Sequence, residues 1–285
     1  MTDIVETGII HEQEPSKINL PPELQKYVSV KKLEQNFSLY PEMQLELSGE
    51  QKRKVKIIKN TLLQLPLVHA TKKPFEKGVP IVPTIDLPEG ARSHTFGLDK
   101  SLGLDKYTFF HWGVPARSDH GTHFLLVNPS LLQSPNTIVT PCDIGDIAIV
   151  GNDPFDKVEK DKKERYQKEY LDKMVSGENW VEINARKVLK SIEGGNPFYG
   201  LNRNTLGEVK HLGPVSADLI TTQISFEDLQ YHYKFLYEHG FSIPNIEQER
   251  RLYLRLGIRN GADPLPEECG IDYEEAAEFW DKSLK

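Results

Sequence analysis

The spacing of hydrophobic residues changes along the chain and divides it into regions. Residues 1–50 are polar and contain four prolines, which predicts an extended or partly helical N-terminal arm. Residues 51–65 carry apolar side chains at steps of three and four, the pattern of an amphipathic helix. Pro66 ends that helix, and a short apolar strand is expected over residues 67–71.

Several short strands are predicted after a proline-rich loop at residues 71–93. They cover residues 94–98, 107–112, 123–127, 138–140, 147–150 and part of 207–215. Turn residues separate them, and regular strand-helix alternation is missing, so the pattern favours a mixed or antiparallel sheet over a Rossmann unit. The predicted class is α+β, a split sheet with flanking helices.

Helical patterns surround these strands and suggest three regions. The arm is residues 1–50 and the core is residues 51–224, with a charged helical insertion at 156–192. Residues 225–285 are predicted to form a helical C-terminal appendix, which starts with an aromatic-rich helix over residues 224–239.

Composition and charge exclude several classes of protein. Lys and Arg number 35 against 42 Asp and Glu, a net charge of −7, which argues against a surface that coats nucleic acid. The sequence has no apolar run of membrane-spanning length and no basic secretory signal. Two cysteines are too few for a disulfide scaffold. We expect a protein without membrane association that is cytoplasmic or delivered into a host cell without a signal peptide.

Three residues on separate predicted strands could act on one glycosidic bond. Cleavage between nicotinamide and ribose requires a group that binds ribose hydroxyls, an aromatic plane and a carboxylate that stabilises an oxocarbenium-like transition state. His69, Tyr107 and Glu208 supply these three types of group. No Walker loop or Rossmann glycine pattern is present, which argues against phosphoryl transfer.

The order of four segments resembles ADP-ribosyltransferases of the diphtheria-toxin and poly-ADP-ribose polymerase type. Residues 67–71 (LVHAT) resemble the first-strand His-x-Thr motif, and residues 103–113 (GLDKYTFFHWG) resemble the aromatic strand of toxin-like members. Residues 121–132 (GTHFLLVNPSLL) are similar to a later strand and turn, and residues 207–215 (GEVKHLGPV) to the strand with the catalytic glutamate. The resemblance implies this family's split sheet and a transferase that serves as a toxin or effector.

The resemblance also implies a role for each matched residue. His69 would bind a ribose hydroxyl of NAD, the backbone of Ala70 and Thr71 would hold the nicotinamide amide, and Glu208 would support the ribosyl cation or orient the acceptor. Tyr107 would stack on nicotinamide, although the strand register leaves Phe109 and Phe110 open for that role. Separately, Arg92 could bind the pyrophosphate of NAD.

NAD is expected as substrate and no metal is expected. The first expectation for the acceptor is a protein, with a nucleic acid left open. Either transfer or NAD hydrolysis could be the main outcome.

Two alternatives remain beside this interpretation. A second resemblance, to metal-dependent cyclases and kynurenine formamidases, offers a hydrolase site at His111, Asp119, His120 and His123. Asp119 stands where that family has its first histidine, and Leu125 stands where it has a ligand aspartate. The other alternative is an inactive transferase-like scaffold that binds a partner through its C-terminal helices.

Overall fold

The structure is a computed structural model that describes most of the chain from residue 18 to residue 242. The described residues are 18–91, 96–113, 123–141, 149–150, 153–154, 170–194, 199–200, 207–225 and 241–242, with single positions at 165, 167, 168, 228, 231, 234, 235, 238 and 284. Arg92, Asp119 and His120, and nearly all of the predicted appendix, lie outside these residues.

A seven-stranded antiparallel sheet organises the described part of the chain. Its spatial order is β10-β3-β1-β2-β9-β4-β7. The strands are β1 (Leu67–Thr71), β2 (Tyr107–Trp112), β3 (His123–Val127), β4 (Thr137–Thr140), β7 (Val175–Ser176), β9 (Glu208–Leu212) and β10 (Ile220–Ser225). Two small pairs lie apart from it: β5 (Ile149–Val150) with β6 (Asp153–Pro154), and β8 (Tyr199–Gly200) with β11 (Phe241–Ser242).

The larger hydrophobic core lies under two long helices on one face of the sheet. Helix α3 (Gly49–Leu62) begins with a capping box at Ser48 and Gln51, and it packs against α5 (Gly177–Glu193), which is capped by Ser176. Buried side chains of both helices join Leu67, Phe110 and other strand residues in one cluster. Burial of this apolar area is the main force that holds the helices to the sheet.

The second core contains the first described part of the predicted N-terminal arm, and the later residues Phe37, Tyr40, Met43 and Leu47 pack against the larger core. Helices α1 (Pro22–Gln25) and α2 (Val30–Leu39) bury Leu24 and Leu33 beside Tyr107 of the sheet. Helix α4 (Phe96–Leu102) contributes Leu102. The residues from 18 to 50 are therefore packed as part of the folded unit.

Three strands have the bounds predicted from the sequence, whereas two segments differ in type from the prediction. The predicted bounds of β1, β2 and β3 coincide with the observed ones. The strand predicted at 94–98 is wrong, because the segment from Phe96 is helical. Ile224 belongs to β10 instead of beginning a helix, because it pairs with Phe124 of β3. Within the described part of the chain, no helix has the length and apolarity needed to cross a bilayer.

Candidate functional site

The sheet opens between two of its central strands. Strands β1 and β2 pair only at Leu67 with Trp112 and at Val68 with His111. On its other side β1 pairs with β3 along its whole length. The unpaired space between residues 69–71 of β1 and residues 107–110 of β2 is named the strand opening. It divides the sheet into the halves β10-β3-β1 and β2-β9-β4-β7.

Residues that border the strand opening are less buried than their neighbours along the same strands. In β1 the paired residues Leu67 and Val68 are buried, whereas residues 69–71 are half-buried. In β2 the half-buried residue is Phe109, and its five neighbours along the strand are buried. A central strand is normally covered on both sides, so these half-exposed residues indicate a recess within the sheet.

The imidazole of His69 lies in the strand opening. Its Nδ1 lies 2.8 Å from the backbone carbonyl oxygen of Phe109. Because a carbonyl only accepts hydrogen bonds, Nδ1 carries the proton, and Nε2 of the neutral ring is an acceptor. Packing of protein around the ring lowers the pKa of His69, and the bond to Phe109 opposes that shift only in part. The ring is therefore neutral near pH 7, with its acceptor nitrogen fixed.

The backbone of Ala70 also points toward the strand opening. Backbone groups of successive strand residues point to alternate sides, and in an antiparallel pair facing residues exchange hydrogen bonds. Pro66 accepts from Gly113 at 2.8 Å, so positions 66, 68 and 70 direct their backbone groups toward β2. Of positions 66, 68 and 70, Ala70 is the one that lies beyond the last pair between β1 and β2. Thr71 turns away, since its hydroxyl donates to the Lys73 carbonyl oxygen at 2.7 Å.

A buried charged cluster surrounds Glu208 on β9. Lys210 Nζ lies 2.6 Å from Glu208 Oε2 and donates to Thr140 Oγ1 at 2.7 Å. The Tyr170 hydroxyl also donates to Glu208 Oε2, at 3.3 Å. We name Glu208, Lys210, Tyr170 and Thr140 the Glu208 cluster. Its charge pair is shielded from water, because Lys210 has no exposed surface and Glu208 is 5% exposed.

The register separates the predicted trio between the two faces of the sheet. Residues directly opposite each other in paired strands share a face. Glu208 lies opposite His111, and Tyr107 shares that face because it is four residues away on β2. His69 lies on the other face beside Phe110, with ring centroids 5.6 Å apart. A ligand that contacts both His69 and Glu208 would therefore have to bridge the two faces of the sheet.

Tyr107 does not occupy a position where a ligand ring could stack on it. Its ring is fully buried in the second core, and this burial raises the pKa of its phenol. Phe110 is 1% exposed and packs within the larger core. Phe109 is the half-buried aromatic at the strand opening, on the face of Glu208. Of the three aromatic residues considered from the sequence, Phe109 has the accessible ring.

The described residues do not bring the proposed metal ligands together. Val68 lies opposite both His111 and Leu126, so these residues share a face. His123 is three positions from Leu126 and therefore lies on the opposite face. His111 and His123 cannot bind one ion in this sheet. The described residues contain no group of three or more His, Cys, Asp or Glu side chains that could hold a metal ion.

Lys210 and Tyr170 were not assigned to the site from the sequence, whereas Phe109 was one of the three aromatic residues considered for stacking on nicotinamide. The sequence contained one signal for Lys210, a lysine two residues after Glu208 on a predicted strand, which places both side chains on one face. Tyr170 comes from a charged segment whose pattern indicated a solvated helix, yet it is 1% exposed. Its contact with Glu208 depends on packing between distant segments and has no local signature.

Comparison with known proteins gives no assignment for this arrangement. No protein-family model and no curated protein matches the chain. Inference about function therefore rests on the strand opening and the Glu208 cluster.

Proposed function

We propose that this chain binds NAD at the strand opening and transfers ADP-ribose to a macromolecular acceptor, with release of nicotinamide. The observation that carries the proposal is His69, whose imidazole is anchored where a central sheet divides. A protein is the expected acceptor, and a nucleic acid is the second candidate. Water in the place of the acceptor would give NAD hydrolysis by the same chemistry.

The chemistry available at the strand opening suits a nicotinamide nucleoside. The fixed Nε2 of neutral His69 accepts a hydrogen bond from a ribose hydroxyl. The backbone of Ala70 offers a donor and an acceptor to a carboxamide, in the manner of one more strand residue. The half-buried ring of Phe109 offers an apolar surface to the nicotinamide ring. Each of these groups corresponds to a role that the family resemblance assigns.

Glu208 supplies the carboxylate on the adjacent strand. One strand, β2, lies between β1 and β9, so two inter-strand spacings, about 10 Å in all, separate these strands in the direction of the hydrogen bonds. This span is smaller than an extended dinucleotide, so a ligand that enters the strand opening from the face of His69 can extend to the face of Glu208. The position of Glu208 beside Lys210 favours its ionised form.

The reaction breaks one bond and forms one. The bond between ribose C1′ and the nicotinamide nitrogen breaks, and its electron pair leaves with nicotinamide, which becomes neutral. A lone pair of the acceptor, or of water, forms the new bond to C1′. The proton lost by the acceptor passes to solvent or to Glu208. Glu208 acts mainly in the transition state, where positive charge develops on the ribose.

The decisive experiment measures nicotinamide release from NAD by proton NMR, with and without cell lysate as a source of acceptors. We expect release by the wild-type chain and a loss of about 100-fold or more in the Glu208→Gln variant, because the carboxylate charge is removed at nearly constant shape. NAD binding, measured by calorimetry, should remain detectable in that variant. The matched control is Glu178→Gln, an exposed glutamate on α5, which should retain the wild-type rate.

Two results would contradict the proposal. If NAD stays intact with the wild-type chain in every lysate, the proposed NAD cleavage is wrong. Equal rates for wild type and Glu208→Gln, with both variants folded by circular dichroism, would remove Glu208 from the mechanism.

A further inference from the structure

A fully buried lysine lies in the middle of the sheet. Lys210 belongs to β9, which is flanked on both sides by β2 and β4. Its neighbour Val209 is buried in the larger core, as expected for a central strand. Lys210 and Glu208 are two residues apart, so both side chains project from the same face.

Among the described residues, the Lys210 ammonium group contacts Glu208, Thr140 and the aromatic rings of Tyr170 and Phe109. Nζ lies 2.6 Å from Glu208 Oε2, 2.7 Å from Thr140 Oγ1 and 3.4 Å from the Glu208 backbone oxygen. It also lies 5.2 Å from the ring centroid of Tyr170, whose hydroxyl donates to the same Oε2 atom. Lys210 and Tyr170 thus bind one carboxylate oxygen from two directions.

The same ammonium group lies near one residue that borders the strand opening. Nζ lies 5.8 Å from the ring centroid of Phe109, the half-buried residue of β2. The Glu208 cluster is therefore adjacent to the strand opening through this ring.

Stability alone is a poor explanation for this arrangement. Desolvation of a charged pair often costs as much as the mutual attraction returns, and apolar residues of similar volume are often equally stable or more stable. Hydrophobic residues at both position 208 and position 210 would continue the apolar surface that Leu212 and Tyr107 form on the same face. The buried lysine therefore calls for a role in fixing the charge and orientation of Glu208.

We propose that Lys210 and Tyr170 are positioning residues that hold the Glu208 carboxylate ionised and in a single orientation for NAD cleavage. This inference rests on the proposed function. Neither residue touches substrate in this arrangement, and both act through the carboxylate. Loss of either residue should therefore affect the chemical step more than the binding of NAD.

The test is steady-state NAD cleavage by the full chain carrying Lys210→Met, Lys210→Arg or Tyr170→Phe. For Lys210→Met we expect kcat to fall about 10- to 100-fold, with KM within about twofold of wild type, since a charge-assisted hydrogen bond to Glu208 is lost. Lys210→Arg, which keeps the cation, should recover part of that loss. Tyr170→Phe keeps the ring and should lower kcat about 2- to 10-fold.

The pH profile separates positioning from a purely structural role. Among the described residues, the titratable groups that face Glu208 are Lys210 on its own strand, His111 on β2 and Tyr170. Removal of the cation in Lys210→Met should raise the pKa of Glu208, so the acidic limb of the kcat profile should move to higher pH. His111 is present in every variant.

The matched control is Lys187→Met on α5. Lys187 also lies over aromatic rings, 5.0 Å from the Trp180 centroid and 5.8 Å from that of Tyr40, and its ring contacts among the described residues do not include the Glu208 cluster. Its kcat profile should match the wild type. An active wild type together with unchanged kcat and acidic limbs in the Lys210 and Tyr170 variants would overturn this inference and leave the proposed function intact.

Other outcomes are equally decisive. An inactive wild-type chain would overturn the proposed function and this inference with it. If Lys210→Met fails to fold, the variants Lys210→Arg and Tyr170→Phe provide the test. A kcat and an acidic limb equal to those of the wild type in both variants would then overturn the inference.

Discussion

The side chain of His69 bonds to the backbone of Phe109 at the point where two central strands separate. The register of the last pairs, Leu67 with Trp112 and Val68 with His111, would place Ala70 opposite Phe109 if it continued. The pairing ends instead, and His69 Nδ1 donates to the Phe109 carbonyl oxygen at 2.8 Å. A side chain thus links the two halves of the sheet beside the strand opening.

Loss of this link should destabilise the fold. In His69→Leu the Phe109 carbonyl oxygen loses its donor, and we expect the free energy of unfolding to fall by about 1–3 kcal/mol. His69→Gln can still donate from its amide and should lose less. Urea unfolding followed by tryptophan fluorescence would measure both, because Trp112 and Trp180 are buried in the larger core.

Thr71→Val is the control for that experiment. Its hydroxyl bonds to Lys73 in an exposed turn, so the cost should stay near about 0.5 kcal/mol or below. Equal losses for Thr71→Val and His69→Leu would show that the bond to Phe109 adds nothing beyond an ordinary surface contact.

His69 should also make stability depend on pH. An unfolded histidine takes up a proton near about pH 6.5, whereas the pKa of His69 in the folded chain is lowered by burial. Below about pH 6.5 the unfolded state therefore binds more protons, and stability falls as the pH falls. One such group contributes up to about 1.4 kcal/mol per pH unit until the folded pKa is reached.

The measurement compares wild type with His69→Gln between about pH 7.5 and about pH 5. The free energy of unfolding should fall less steeply in the variant. Burial also lowers the pKa of His211, which is bonded to Thr137, so a residual slope should remain in both proteins. Parallel curves for the two proteins would contradict a lowered pKa at His69.

The hydroxyl of Tyr107 should reduce stability where it stands. It is buried, and the described residues provide it with no hydrogen-bond partner. Tyr107→Phe removes the unsatisfied group and keeps the ring, so we expect the free energy of unfolding to rise by about 1 kcal/mol. Tyr170→Phe is the matched comparison, because that hydroxyl donates to Glu208 and its loss should destabilise the chain. A destabilised Tyr107→Phe would indicate a partner for the phenol.

Local patterns were sufficient to predict much of the sheet. Strands β1, β2 and β3 are short apolar runs between turn residues, and both their type and their bounds were predicted. The segment at 94–98 carries a similar composition but continues as a helix from Phe96, where Leu102 packs against the N-terminal helices. Tertiary packing overrides local propensity in such short segments.

The candidate site was predicted less completely, because its geometry depends on strand pairing. Alternation fixes which residues of one strand share a face, but the face that Tyr107 or Phe110 presents depends on its register with β1 and β9. That register places His69 and Glu208 on opposite faces. The contact of Tyr170 with Glu208 joins positions 38 apart and could not be read from either segment.

The glycine before Glu208 should be essential for the geometry of the cluster. Gly207 has a φ of +77°, a conformation that costs other residues about 1–2 kcal/mol. A Cβ atom at this position would also lie 2.5 Å from the Thr140 carbonyl oxygen and 3.2 Å from Trp180 Nε1. Gly207→Ala should therefore lower the free energy of unfolding by about 3 kcal/mol or more, the sum of backbone strain and steric overlap.

Gly213 at the other end of β9 provides the matched variant. Its φ of +88° is similar, but a Cβ atom there would meet nothing within 4 Å. Gly213→Ala should thus cost only the backbone component, about 1–2 kcal/mol. The difference between the two variants in the free energy of unfolding, measured with urea, gives the cost of the steric overlap with β4 and α5. Equal losses of stability would mean that the close approach of Thr140 does not constrain position 207. Thr140 also accepts a hydrogen bond from Lys210. A larger loss of stability in Gly207→Ala would therefore show that the backbone before Glu208 packs closely against a residue of the Glu208 cluster.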